Sequence, residues 1–319
     1  MDHSEQFNLS AVRAFYSDHF VLPLPEGHKF PMAKYSGLRE RILAEGIVGP
    51  QDLREAPAAS WDELRLVHDS AYVDAVANGA LPRDAQRRIG FPWSPQMVER
   101  SRRSVGATIA AAQVALEDSV AANLAGGTHH GFADRGEGFC VFNDVAVAAR
   151  VLQRDRQARR IAVVDLDVHQ GNGTAAIFGG DDTVFTFSMH GEKNFPFRKE
   201  TSDLDVALPD GTGDDDYLEL LRSHLPGVLN RHQPDFVFYL AGADPYEGDR
   251  LGRLKLTIAG LRTRDEMVFD ACRRIGVPVA VTMSGGYAHE VDAIITIHAN
   301  TIRVAANRCL IGVKSVAGV

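Results

Sequence analysis

The stretch VVDLDVHQGNGTA, residues 163–175, delivers Asp165, Asp167 and His169 within five residues at the end of an apolar, β-branched run. Two carboxylates and an imidazole at the end of a buried strand are costly unless a cation or a hydrogen-bond network satisfies them. Residues two apart in an extended segment point the same way, so Asp167 and His169 can reach one ion. Asp244, which ends the stretch LAGAD, becomes a third ligand if its strand ends at the same edge. Two carboxylates and one imidazole suit Zn²⁺ or Fe²⁺ and leave positions for water and a substrate oxygen. The plainer alternative is a hydrogen-bonded strand-end cluster without an ion.

Three further stretches carry groups suited to chemistry beside such an ion. His129 and His130 follow a double glycine in GGTHHG. Adjacent imidazoles on a Gly-flanked turn can face one pocket, as a paired general acid and general base must. Tyr287 stands in SGGY, where Gly285 and Gly286 let the loop come close to the ion. A phenol there can donate a hydrogen bond to a developing oxyanion. Phe139 in GEGFCVFND and Phe195 in NFPF lie on loops, where two facing rings make the walls of a narrow apolar channel. Each has a bland alternative: a surface His pair, a Tyr packed under its own loop, aromatic rings turned into the core.

The elements that must position these groups are legible as short apolar runs between polar turns. Strands are predicted over 120–125, 161–166, 183–188, 235–241 and 277–283, and helices over 94–118, 143–155, 215–232 and 256–276. Ser94 as N-cap with Pro95 at the first helical position opens the longest helix. Alternating strands and helices with near-continuous apolar strands predict a parallel sheet covered on both faces. Ligands of such sheets bind beyond the carboxyl ends of the strands. GGTHHGF, the 165–169 cluster, MHGEKNFPF, Asp244 and SGGYA each follow or end one of the five strands. The sequence therefore sends five polar or aromatic segments to one edge.

Composition sets the outer bounds. A chain of 319 residues, 45% hydrophobic and 24% charged, is globular in type, and no linker or repeat marks a boundary, so residues 1–319 are expected to form one domain. The net charge of −8 argues against a dedicated nucleic-acid binder and is compatible with a cationic partner such as a Lys-rich peptide or a polyamine. Cys140, Cys272 and Cys309 form neither a disulfide framework nor a C-x-x-C zinc site. With no apolar run of membrane-spanning length and no signal-peptide core in MDHSEQFNLS, the expected setting is a reducing cytoplasm.

GGTHHG, GFCVFND, DLDVHQGNGT, LAGADPYEGDRLGRLKLT and SGGYA occur in that order. In this set and order the chain resembles the histone deacetylase family over nearly its whole length, and DLDVHQGNGT with SGGY is most similar to the class IV branch and its bacterial relatives. The resemblance implies the arginase–deacetylase fold, a three-layer α/β/α sandwich with a central, mostly parallel sheet. It implies a zinc-dependent deacetylase with one catalytic Zn²⁺, or Fe²⁺, held by Asp167, His169 and Asp244. By the same match His129 and His130 are the acid/base pair, Tyr287 is the oxyanion donor, and Gly138, Phe139 and Phe195 line the substrate tunnel beside Gly285 and Gly286. A structural K⁺ would be held by Asp165, Asp167, His169, Ser188 and the backbone of Met189. The implied substrate is acyl-lysine in a peptide or protein, or another slender N-acyl amine such as an acetylpolyamine.

The chain departs from the class I pattern at one place. There each paired histidine contacts a carboxylate; here Asp165 can serve His129, but Asn172 stands where His130 would find its acid. An amide does not stabilise an imidazolium as a carboxylate does, so His130 is expected to be the neutral base and His129 the more readily protonated member. A two-metal ureohydrolase of the same fold would need an acid at Gly171 or Gly242, and a non-catalytic acyl-ligand binder would have no use for the complete set of ligands and Tyr287.

Overall fold

The computed structural model describes residues 12–308. The strands are β1 (Arg13–Tyr16), β2 (Leu53–Glu55), β3 (Val120–Asn123), β4 (Ile161–Asp165), β5 (Val184–Gly191), β6 (Leu204–Leu208), β7 (Phe236–Leu240) and β8 (Val279–Thr282). The helices are α1 (Ala33–Ala44), α2 (Trp61–Leu64), α3 (Ser70–Asn78), α4 (Arg83–Ile89), α5 (Pro95–Asp118), α6 (Asp144–Arg154), α7 (Asn172–Phe178), α8 (Asp214–His232), α9 (Ile258–Ile275) and α10 (Val291–Arg308). The segment MDHSEQFNLS and Cys309 lie outside the described residues.

All eight described strands form one sheet in the order β2-β1-β3-β8-β7-β4-β5-β6. Every neighbouring pair is parallel. The five strand predictions fall on β3, β4, β5, β7 and β8. The added strands β1, β2 and β6 lie toward the two edges of the sheet. β1 and β2 have four and three residues, too few to show a period, and β6 alternates half-buried and exposed positions before the buried Leu208, as a one-sided edge strand does.

Why the central runs are apolar throughout is visible in β4. Ala162 and Val164 face one core and Ile161 and Val163 the other, because successive side chains point to opposite faces. Helices α8, α9 and α10 supply Leu221, Leu261 and Ile294 to the first core. Helices α5 and α6 supply Val105 and Val145 to the second. The result is the expected three-layer sandwich. Helix α5 begins as predicted: the Ser94 hydroxyl accepts the Met97 amide at 3.0 Å with Pro95 behind it. Among the described residues no helix is long and apolar enough to cross a membrane.

The strand order decides where the chemistry goes. Strands β3, β8, β7 and β4 are consecutive in the sheet and parallel. Their carboxyl ends therefore lie side by side at one edge, although the chain visits them as third, eighth, seventh and fourth.

Candidate active site

The loop after β3 carries His129 and His130, and it is shaped by one carboxylate. Asp144, at the start of α6, accepts the amides of Gly127 (2.9 Å) and Thr128 (2.7 Å) and the hydroxyls of Thr108 and Thr128. Asn143, capping α6, donates to the Gly131 carbonyl at 3.0 Å. Thus held, the two imidazoles lie 4.1 Å apart between ring centres and are buried. Nδ1 of His129 lies 2.6 Å from Oδ2 of Asp165, and Nδ1 of His130 lies 2.7 Å from Oδ1 of Asn172.

Those partners split the pair electrostatically. Burial opposes charge on both rings. For His129 the charges of Asp165 and Asp167 and the Asp165 hydrogen bond outweigh burial and raise it to about 9. For His130 burial acts together with the positive charges of His129 and His169, and the Asn172 amide does not compensate, so it falls well below the ordinary histidine range. With an amide oxygen as acceptor, His130 carries its proton on Nδ1 and leaves Nε2 free as a base.

Asp167, His169 and Asp244 meet at the ends of β4 and β7, offering ligand atoms within 4.8 Å of one another. All are buried. Oδ2 of Asp167 is fixed by the Ser284 hydroxyl (2.6 Å) and the Gly285 amide (2.7 Å), and Oδ1 of Asp244 by the Val168 amide (2.9 Å). Oδ2 of Asp244 is buried with no hydrogen-bond partner, 3.2 Å from Nδ1 of His169. Burial and the facing Asp167 charge push Asp244 up to about 7. Burial also opposes charge on His169, yet its hydrogen bond to Asp167 and the negative charges of Asp167 and Asp244 raise it to about 10. Two buried carboxylates converging on one imidazole, one oxygen orphaned, fit a divalent cation. A Cβ at Gly285 would stand 1.8 Å from Asp244 Oδ2, so only glycine lets the loop after β8 pass so close to the ligands. A Cβ at Gly242 would come within 3 Å of both Asp167 and Asp244, which leaves no room for the extra acid of a two-metal site.

Tyr287 lines the same cavity as His129, His130, Asp167, His169 and Phe139. Its backbone is clamped on both sides: Asp249 accepts its amide at 2.6 Å and Arg250 donates to its carbonyl at 2.7 Å. Burial pushes the phenol well above its usual range, which keeps it a hydrogen-bond donor. Phe139 adopts a left-handed backbone (φ 68°). Such strain persists only when neighbours over-determine it. Its ring packs on Phe30, Phe91 and Tyr287, and Gly138 cannot bear a side chain because a Cβ would meet the His130 ring at 2.6 Å. Phe195 joins Gly138, Phe139 and Tyr287 around the mouth and sits edge-on to His130 at 4.9 Å. Gly286 follows in the same loop with φ 152°. Ser188 pairs with Asp165 across β4 and β5, and its hydroxyl lies 3.0 Å from Nδ1 of His190; Met189 is buried beside it.

Several residues that hold this arrangement were not read from the sequence. Lys34 is buried under the loop after β8 and donates to the carbonyls of Ser284 and Gly286. Arg264, fully buried on α9, donates to the carbonyls of Leu166 and Gly242 and so ties β4 to β7 just before the ligands. Lys199 donates to the carbonyls of Glu192, Asn194 and Pro196, folding the Phe195 loop around one ammonium. Asp249 lies in EGDRLG, a motif whose acid could have been suspected; nothing in the sequence singles out the other three.

A doubly covered parallel sheet with a carboxylate–imidazole triad at its carboxyl edge is an enzyme architecture. Residues 28–302 match the histone deacetylase domain family. An uncharacterized protein of Picosynechococcus sp. is 48% identical over 292 residues, covering 91% of this chain and 97% of that protein. Histone deacetylase 2 of Arabidopsis thaliana is 31% identical over 291 residues, covering 88% of this chain and 75% of its own length. The crystal structure of a histone deacetylase homologue from Aquifex aeolicus superposes with a TM-score of 0.79 at 25% identity, covering 93% of this chain and 84% of that one. The chain belongs to the histone deacetylase family, deacetylase-like hydrolases of the arginase–deacetylase fold.

Proposed function

We propose that the protein is a zinc-dependent deacylase of the class IV type that removes acetyl or another acyl group from the ε-amine of lysine in a peptide or protein. One observation carries the reading: within a single cavity His129 meets a carboxylate and His130 an amide, beside the Asp167–His169–Asp244 cluster and Tyr287.

Zn²⁺ on Asp167, His169 and Asp244 would polarise the substrate's amide carbonyl and the attacking water; Fe²⁺ suits the same donors. His130, neutral and with Nε2 free, takes the proton of the water as it attacks. The Tyr287 hydroxyl donates to the oxyanion that forms. His129, kept protonated by Asp165, returns a proton to the departing amine, and the products are a free amine and a carboxylate. Gly138, Phe139 and Phe195 admit only a slender acyl-amine stem, with Gly285 and Gly286 beside it. Asp165, Asp167, His169, Ser188 and the Met189 backbone are the residues for a structural K⁺. The buried free thiols Cys140 and Cys272 suit a reducing cytoplasm.

Zinc-loaded protein should hydrolyse a fluorogenic acetyl-lysine peptide, lose activity to a chelator and regain it with added zinc. A fully zinc-loaded preparation that turns over no acyl-lysine peptide of any chain length would overturn the proposal.

A further inference from the structure

The tunnel wall at Phe139 is buttressed by α4. The carbonyl of Arg88 accepts the Gly138 amide at 3.0 Å, and that of Ile89 accepts the Phe139 amide at 2.8 Å. The charges on this helix are thereby fixed relative to the mouth. Arg88 itself lines the mouth with Glu137, Phe195 and Leu251. Behind Phe139 lies an adjoining recess lined by His28, Arg83, Gln86, Arg87 and Phe91. The His28 ring stands 5.8 Å from that of Phe139, and its Nε2 donates to the Gly90 carbonyl at 3.0 Å.

The nearby acids do not neutralise this helix. Asp84 faces Arg88 at 3.5 Å, and Glu137 lies 3.7 Å from Arg135. Arg83 and Arg87 are exposed, and neither pairs with an acid among the described residues. Two uncompensated guanidiniums beside the entrance stand out in a chain whose net charge is −8.

Resting on the deacylase reading, we propose that the rim selects acyl-lysine in an acidic peptide context, with Arg83 and Arg87 as specificity-determining residues for Asp or Glu side chains flanking the acylated lysine. The length of the cationic track is the reason for a peptide. From Arg83 to Arg88 the helix rises about 7 Å. A free N-acyl amino acid in the tunnel meets only Arg88 at the mouth, whereas two or three residues of extended chain, at about 3.3 Å each, span the whole track. Guanidinium pairs with carboxylate through a planar fork, so Arg suits this task. An acetylpolyamine, cationic along its length, would be repelled.

The test uses zinc-loaded full-length protein and three acetyl-lysine peptides of equal length, flanked by Asp/Glu, by Gly/Ser or by Lys/Arg, together with free Nε-acetyl-lysine. The acidic peptide should exceed the basic one in kcat/KM by roughly tenfold at low salt, chiefly through KM, and the gap should shrink at high ionic strength. The Arg83→Glu/Arg87→Glu variant should reverse the ranking of the acidic and basic peptides. Equal kcat/KM for the three peptides, a preference for the basic one, or a variant that keeps the wild-type ranking would overturn this inference while leaving the deacylase reading intact. Free acetyl-lysine matching the acidic peptide would likewise overturn it, in favour of a small carboxylate. No turnover of any peptide would instead remove the deacylase reading itself.

Discussion

Nδ1 of His130 lies 2.7 Å from Oδ1 of Asn172, so the histidine proposed as the general base rests against a neutral amide rather than a carboxylate. The neighbouring His129 has a full carboxylate at 2.6 Å. Burial thus keeps His130 neutral while Asp165 keeps His129 charged. Replacing Asn172→Asp should raise the His130 pKa. Since the base acts only when deprotonated, the acidic limb of the kcat/KM profile should move to higher pH. An unmoved limb in a zinc-loaded variant would remove this contact from the mechanism.

Asp244 carries the orphaned oxygen of the ligand cluster. Asp244→Ala or Asp167→Ala leaves two protein ligands, too few to hold zinc tightly. Metal analysis after dialysis should show near-complete loss, with activity falling in parallel. Full occupancy in either variant would contradict the assignment.

Tyr287 is held by its backbone through Asp249 and Arg250, so Tyr287→Phe should remove the hydroxyl without moving the loop. Loss of one oxyanion donor costs roughly 10²–10³ in kcat, about 3–4 kcal/mol. Affinity for a product analogue should change far less, because that donor acts in the transition state. Turnover and affinity falling together would recast Tyr287 as a wall of the tunnel.

Lys199 satisfies three carbonyls of the loop that places Phe195. Lys199→Met strands these acceptors and should loosen that wall, raising KM several-fold with a smaller change in kcat. Lys199→Arg should restore part of the loss. A KM unchanged in Lys199→Met would show that the loop holds itself.

His68 is buried with Nδ1 donating to the Phe132 carbonyl and Nε2 accepting the Asn143 amide. Burial lowers its pKa to about 4, against an ordinary value of 6.5. The unfolded chain therefore takes up a proton that the folded one refuses. The stabilisation is complete above pH 6.5 and is lost as pH falls toward 4, up to roughly 3 kcal/mol for this group. Urea titrations at stepped pH should show stability dropping across that interval, and less steeply in His68→Gln. Equal slopes would assign the acid lability elsewhere.

The sequence by itself determined the class of fold and singled out the residues that the fold gathers at one edge of the sheet. Continuous apolar runs as short as 161–166, bounded by polar turns, read as strands buried on both faces, and each ends in its own polar or aromatic motif within a few residues. The resemblance to the deacetylase family also predicted the contrast between Asp165 and Asn172. The tertiary structure alone decided which strand ends are neighbours. The order β3-β8-β7-β4 arises from packing between segments far apart in the chain, which no local period encodes. For the same reason Ser284 reaches Asp167 across 117 residues. The buried cations Lys34 and Arg264 read as ordinary helical surface residues in the sequence. A charged side chain takes its role from the carbonyls and acids that folding brings to it, and those partners exist only once the layers have closed.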